Sequence, residues 1–342
     1  MNAPITVSIA SGSHVQGIAV DAKREHMYFS FTTCLIKTDM QGNILGSVTG
    51  LAGHLGCIAY NYDDGKVYGS LEFKQDSIGR GILANLGSTK QLQDGFYITI
   101  FDVEKIDRMD MDAEKDGVMT AVFLKEVYDD YAAPGHRYGC SGIDGTTFAP
   151  AFGASGGTNY LYVAYGIYGD IERQDNDHQV LLQYDISDWQ QYARPLNQED
   201  MHRCGPEVPT AKYFVFTGNT TYGIQNLEYD PATGMMLAAV YKGKKEQYPN
   251  YPMYFIDCSK APELRQLPGI GQEAECLSLA SMGECHEATG ICGSRFPHGS
   301  TGIASLGNGC FYISQPFYQD GHYGSSVSIF RLDPDSGTFT EI

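Results

Sequence analysis

The sequence predicts an all-β fold, a five-bladed β-propeller that takes residues 1–342 as one domain. Three observations predict it: three patterns that recur five times in the same order, strands that close on aspartate, and a composition with 40 Gly and 24 Tyr but only 19% charged residues. Glycine supplies the positive φ that tight turns need, so this composition suits many short strands. It does not suit a helical bundle or a disordered chain.

The first pattern enters a strand from a Gly-rich loop. Its copies are Ser13 to Ile18, Gly53 to Ile58, Tyr138 to Ile143, Tyr222 to Leu227 and His298 to Ile303. The second is an apolar strand, usually with Tyr and then a small residue: Met27 to Phe31, Val67 to Leu71, Leu161 to Tyr165, Leu237 to Val240 and Phe311 to Gln315. The third closes on Asp39, Asp102, Asp185, Asp257 and Asp333, where a carboxylate serves turn chemistry by accepting backbone N–H groups two residues on. A fourth strand follows each Asp, as in Ile44 to Val48 and Tyr213 to Phe216.

Four strands repeated fivefold describe propeller blades, each a sheet whose faces are buried by its neighbours. The small residue of the second pattern marks where blades approach closely. The segment Ile5 to Ile9 is placed to complete the last blade. Repeats of variable length dominated by strands speak against a solenoid. Cys258 to Gly293 is irregular and has room for a sixth blade.

The formal charge is −18 with no run of Lys and Arg, which excludes nucleic acid and anionic membrane as partners. Met1 to Gly12 lacks the basic-then-apolar order of a secretory signal, and no stretch of about 18 apolar residues is present. Nine scattered cysteines read as reduced thiols, five of them in or beside strands, which predicts a cytoplasmic protein. Oligomeric state is not legible.

In a propeller, the loops entering the innermost strands and leaving the second strands gather on one face. That funnel collects His14, Gln16, His54, Tyr138, Ser141, Tyr222, Gln225, Asn226, His298 and Thr301, with Thr32, Thr33, Glu72, Lys74, Asp76, Tyr165, Tyr168, Tyr241, Lys242, Gln315 and Tyr318. His14, His54 and His298 hold equivalent or adjacent repeat positions. With Glu72 they are the candidate catalytic residues, as acid, base or ligands of a divalent cation. The alternative for each imidazole is a loop cap on a backbone carbonyl. Gln16, His136, Arg137, Tyr138, Tyr165, Tyr222, Gln225, Asn226, Arg295 and Gln315 are the candidate substrate-binding residues. Arginines suit an anionic group there and tyrosines a sugar face. The Gly-rich stretch Lys74 to Gly95 has the length of a lid. Cys276, Cys285, His286 and Cys292 lack the paired spacing of a zinc site, and no nucleophile elbow, Walker loop or dinucleotide fingerprint is present.

Gly17 to Asp21 followed by Met27 to Ser30 resembles the propellers of the gluconolactonase, NHL and YncE-like kind at superfamily level. The lactonase branch holds a central divalent cation with carboxylate and asparagine side chains, parts that the resemblance would give to Glu72 and Asn226. Five-bladed propellers also include glycosidases built on acidic residues, for which no trio of equivalents stands out. The expected function is an enzyme cleaving a small, polar, carbohydrate-like substrate by hydrolysis or elimination at the top-face funnel. The alternative is a non-catalytic ligand-binding or protein-interaction propeller. Gln16, Gly56, Ser141, Gln225 and Thr301 share one repeat position, and their divergence favours one asymmetric site over five equal ones.

Overall fold

A computed structural model describes residues 3–10, 13–218 and 221–342; Met1, Asn2, Ser11, Gly12, Asn219 and Thr220 lie outside the described residues. Its strands form a five-bladed β-propeller. The innermost strands are Val15–Val20, His54–Asn61, Cys140–Ala149, Thr221–Asp230 and Ile303–Ser305. Each touches the next and the fifth touches the first, so they close a ring. The strand Ile5–Ile9 pairs antiparallel with His322–Asp333, from Ile5 opposite Val327 to Ile9 opposite Tyr323. The N-terminal segment thus completes the fifth blade, as its sequence predicts.

Alternation along the second strands explains the packing. In His26–Phe31, Tyr28 points into an apolar cluster shared with the second blade, and Phe29 points into one shared with the fifth. Period-2 patterning gives each blade two buried faces. Five such clusters lie between successive blades, so the core is a set of five interfaces around the axis. The small residues expected at close approaches also bond across them. Ser30 Oγ donates to the Gly56 carbonyl at 2.6 Å, and Ser70 Oγ to the Asp144 carbonyl at 2.7 Å. A buried hydroxyl that links two blades removes an orphaned acceptor and fixes their spacing.

Four of the five closing aspartates make the expected turn. Asp39, Asp185, Asp257 and Asp333 accept the N–H of the residue two further on at 2.9 to 3.1 Å. Asp102 instead opens a short 3-10 turn without a side-chain cap.

The segment expected to have room for a sixth blade forms none. Beyond Cys258 the chain crosses to the third blade, where Glu273–Cys276 joins the outer strand Ala211–Phe216 and pairs with Glu263–Gln266. The fourth blade therefore keeps three described strands instead of four, with isolated bridges at Ile256–Leu279 and Met253–Ser294 along its edge.

The cysteine expectation also needs correction. Cys285 and Cys292 face each other across a two-residue antiparallel pair and form a disulfide, so the nine are not all reduced thiols. Cys34, Cys57, Cys140, Cys258 and Cys310 are free and buried. No helix among the described residues is long and apolar enough to cross a membrane.

Candidate functional site

The N-terminal ends of four innermost strands surround a cavity of about 220 Å3 on the ring axis. Its wall includes His14, Gln16, Thr32, His54, Glu72, Lys74, Ser141, Asp144, Tyr222, Gln225 and Tyr241. The repeats of blades one to four thus bring side chains to one cavity, while among the described residues the fifth contributes no lining side chain.

Glu72 ends the strand Lys66–Phe73 opposite His54 in the antiparallel register, which puts both side chains at the axis. Glu72 Oε1 lies 2.5 Å from Lys74 Nζ, and its Oε2 accepts the Ile143 N–H at 3.0 Å. Lys74 also donates to the Ser141 carbonyl at 2.8 Å. A Cβ at Gly142, whose φ is +129°, would collide with Glu72 Oε2, so glycine is required for the carboxylate to seat against the third blade. A Cβ at Gly56 would likewise collide with Asp144 Oδ1.

Asp144 sits where a β-bulge interrupts the register between Ile143 and Thr146. Bulges re-aim side chains, and here the carboxyl turns toward His54 and Gln225. His54 Nδ1 is 3.8 Å from Glu72 Oε1 and 3.8 Å from Asp144 Oδ1, beyond hydrogen-bond reach, and it has no hydrogen-bond partner among the described residues. Gln16 Nε2 donates to Thr32 Oγ1 at 3.0 Å and approaches His14 Nε2 at 3.3 Å. Tyr222 and Tyr241 meet edge to face at the rim.

Burial raises the Asp144 carboxyl well above the usual range, and the negative charge of Glu72 raises it further. Burial also raises Glu72, but the adjacent ammonium of Lys74 opposes the shift. Burial works against the charge on Lys74, yet Glu72 and Asp76 outweigh it and hold the ammonium above its ordinary value. Burial, then the nearby Lys74, pushes the His54 imidazole down to about 3. Both carboxyls are shifted up; Glu72 has the Lys74 ammonium against it and Asp144 has no cation in contact, so Asp144 is the readier of the two to hold a proton.

The helix α1 (Ser77–Asn85) occupies the predicted lid segment, with Ile78 and Ile82 on the cavity wall. Asp76 caps it by accepting the N–H groups of Ile78 and Gly79, and also accepts a hydrogen bond from Tyr168 at 3.1 Å. Asp76 Oδ2 is 3.8 Å from Lys74 Nζ, which ties the start of the helix to the acid pair.

Six of the predicted residues come together: His14, Gln16, His54, Glu72, Tyr222 and Gln225. Eight do not. His298 packs against Phe296 and Phe330, five residues before the fifth innermost strand starts at Ile303. His136 donates to the Tyr131 carbonyl at 2.6 Å and packs, tilted, between the rings of Tyr131 and Tyr168, the loop-capping role. Arg137 pairs with buried Asp130, whose other oxygen takes bonds from Tyr165 and Lys212. Tyr138 packs on Phe214 and accepts a hydrogen bond from Gln272. Asn226 donates to the carbonyls of Gln16 and Ser300, stitching three blades together. Arg295 pairs with Glu284 on the outer surface. Gln315 lies opposite Ser326 in the fifth blade, off the cavity wall. Asp144 is the residue that sequence reasoning missed, since it stands three places beyond the repeat position followed there.

The upper cavity is a poor cation site, because the Lys74 ammonium takes the place against Glu72 that a cation would take, and Asn226 is occupied elsewhere. Among the described residues, one trio of potential ligands has its atoms within 4.8 Å of one another: Asp21, Glu25 and His26, beyond the opposite end of the first innermost strand.

Fold and site together define a five-bladed propeller with a buried acid pair on its axis. No family model matches the chain, and no curated protein matches it. Among solved structures it is similar to a functionally unknown protein from Desulfotomaculum acetoxidans, at 10% identity, TM-score 0.38, 97% of this chain and 69% of that one. It is also similar to a GH43 β-1,3-galactosidase solved with galactodeoxynojirimycin, at 10% identity, TM-score 0.43, 96% of this chain and 93% of that one.

Proposed function

We propose that the upper cavity is the active site of an enzyme that hydrolyses a small, polar, carbohydrate-like substrate. The observation that carries this reading is one cavity holding two buried carboxyls in unequal surroundings, Glu72 against the Lys74 ammonium and Asp144 with no cation in contact. Pairs of titratable groups pushed apart by their environments are the pattern of acid–base catalysis. Asp144 donates its proton to the leaving oxygen as the C–O bond breaks. Glu72 accepts the proton lost by the water that adds. Its raised pKa makes it a stronger base than an ordinary carboxylate. Lys74 positions Glu72 and keeps it ionised. The neutral His54 lines the cavity, its buried Nδ1 3.8 Å from each of the two carboxyls. Tyr222 and Tyr241 offer ring faces, and Ile78 and Ile82 offer an apolar wall to the C–H face of a sugar.

The test is a screen of nitrophenyl glycosides and reduced oligosaccharides, with products resolved by mass. Hydrolysis that drops about 10²–10⁴-fold in Asp144→Asn and in Glu72→Gln supports the assignment. Turnover unchanged in either variant, or an unsaturated product formed without uptake of water, overturns it.

A further inference from the structure

The ring has a second mouth. At the C-terminal ends of the innermost strands, opposite the acid pair, lies a larger cavity of about 590 Å3. This volume falls within the range of small-molecule sites. All five innermost strands reach it, through residues such as Val20, Phe148 and Ala304. Its wall carries the rings of Tyr60, Tyr62 and Tyr229, with Tyr60 and Tyr62 edge to face at 5.2 Å.

One carboxyl faces this aromatic wall. Glu228 stands near the end of the fourth innermost strand, Oε1 accepting the Ser305 N–H at 2.7 Å and Oε2 accepting the Thr147 hydroxyl at 3.3 Å. No Lys, Arg or His among the described residues forms an ion pair with it, unlike Glu72, Asp130 and Asp177. The charged groups nearby leave the balance negative: Asp230 faces it, while Asp21 and Arg24 line an adjoining groove with it. Burial pushes its carboxyl up to about 8, the state of an acid whose counter-charge is missing.

A cation seated among these aromatic faces displaces the Glu228 proton and gains from the ring quadrupoles and from the carboxylate so formed together. We propose that the lower mouth is a binding site for an organic ammonium ion bearing a ring, with Glu228 as its counter-charge and the tyrosines as its walls. An acidic chain of net charge −18 favours the approach of such a ligand. The site shares no lining residue with the upper cavity and stands independently of the hydrolase reading.

The test is calorimetric titration of the whole protein with phenethylammonium and with its neutral isostere phenethyl alcohol. The expected result is saturable binding of the ammonium at least tenfold tighter than the alcohol. Glu228→Gln, whose amide oxygen still accepts the Ser305 N–H and whose NH2 donates to Thr147 Oγ1 in place of the bond it accepted, is expected to remove that tenfold preference and leave the alcohol unchanged. Tyr62→Ala, at an exposed ring whose loss does not threaten folding, is expected to weaken the ammonium about threefold. Asp144→Asn is expected to change neither, which separates this mouth from the acidic upper cavity. Equal affinity for the two probes, ammonium binding untouched by Glu228→Gln, or no saturable ammonium binding in the millimolar range overturns the proposal.

Discussion

Replacing Lys74 by Met tests how the acid pair is kept unequal. The substitution removes an ammonium 2.5 Å from Glu72 Oε1 and leaves a carboxylate buried with one backbone N–H at Oε2. Removing one partner of a buried pair costs about 3–5 kcal/mol, because the survivor's desolvation is no longer offset. Glu72 then escapes by taking up a proton. Its folded-state pKa rises above the unfolded value, so the folded state binds the extra proton and stability falls as pH rises. Glu72 is already shifted up in the native protein and rises further in Lys74→Met, so relative to the native protein the variant recovers up to about 1.4 kcal/mol per pH unit as pH drops below the variant's pKa toward the native one. Urea denaturation at a series of pH values from 5 to 8 reads this directly. The pair Glu72→Gln with Lys74→Met leaves no buried charge at this position and is expected to regain most of the loss. A Lys74→Met deficit that does not vary with pH, or a double variant as unstable as the single, would refute the reasoning.

Further outcomes follow from the same geometry. Gly142→Ala forces a Cβ into Glu72 Oε2 at a φ of +129°, so thermal melting should fall by about 1–3 kcal/mol in stability and turnover should fall with it. Asn226→Ala strands the carbonyls of Gln16 and Ser300, with an expected loss of about 2–4 kcal/mol by urea denaturation. His298→Ala is expected to leave turnover at the upper cavity unchanged, since its ring packs on Phe296 and Phe330; a large loss would restore it to the site. In the pH profile of turnover, activity should fall at high pH as Asp144 loses its proton and at low pH as Glu72 gains one. His54 should add no limb near neutrality, because its imidazole stays neutral down to about pH 3.

The ring was legible because repeats report backbone geometry. Ser30 and Ser70 follow a strand Tyr because the next blade passes within hydrogen-bond reach, and Asp39 ends a strand because its carboxylate closes a turn. Glu72 was legible as a charged residue in a position otherwise filled by neutral ones. The site's completion was not, since Asp144 reaches the axis only through a bulge, which shifts the side-chain register without leaving a mark in the repeat. His298 misled for the converse reason: its repeat position is equivalent, but the strand behind it is short. Arg137, Tyr138 and Tyr165 were misread because the pattern cannot show Asp130, Phe214 and Gln272 arriving from distant segments to engage them. The cavity at the lower mouth is lined by residues from the ends of all five innermost strands, which no linear motif brings together.

The central claim is that one buried carboxyl on the ring axis keeps its proton at neutral pH while its neighbour does not. Carbon-13 spectra of aspartate-labelled protein at pH 7 measure it most directly. The account predicts one protonated aspartate carboxyl resonance, which vanishes in Asp144→Asn. A spectrum in which every aspartate carboxyl is already ionised at pH 7 would contradict it.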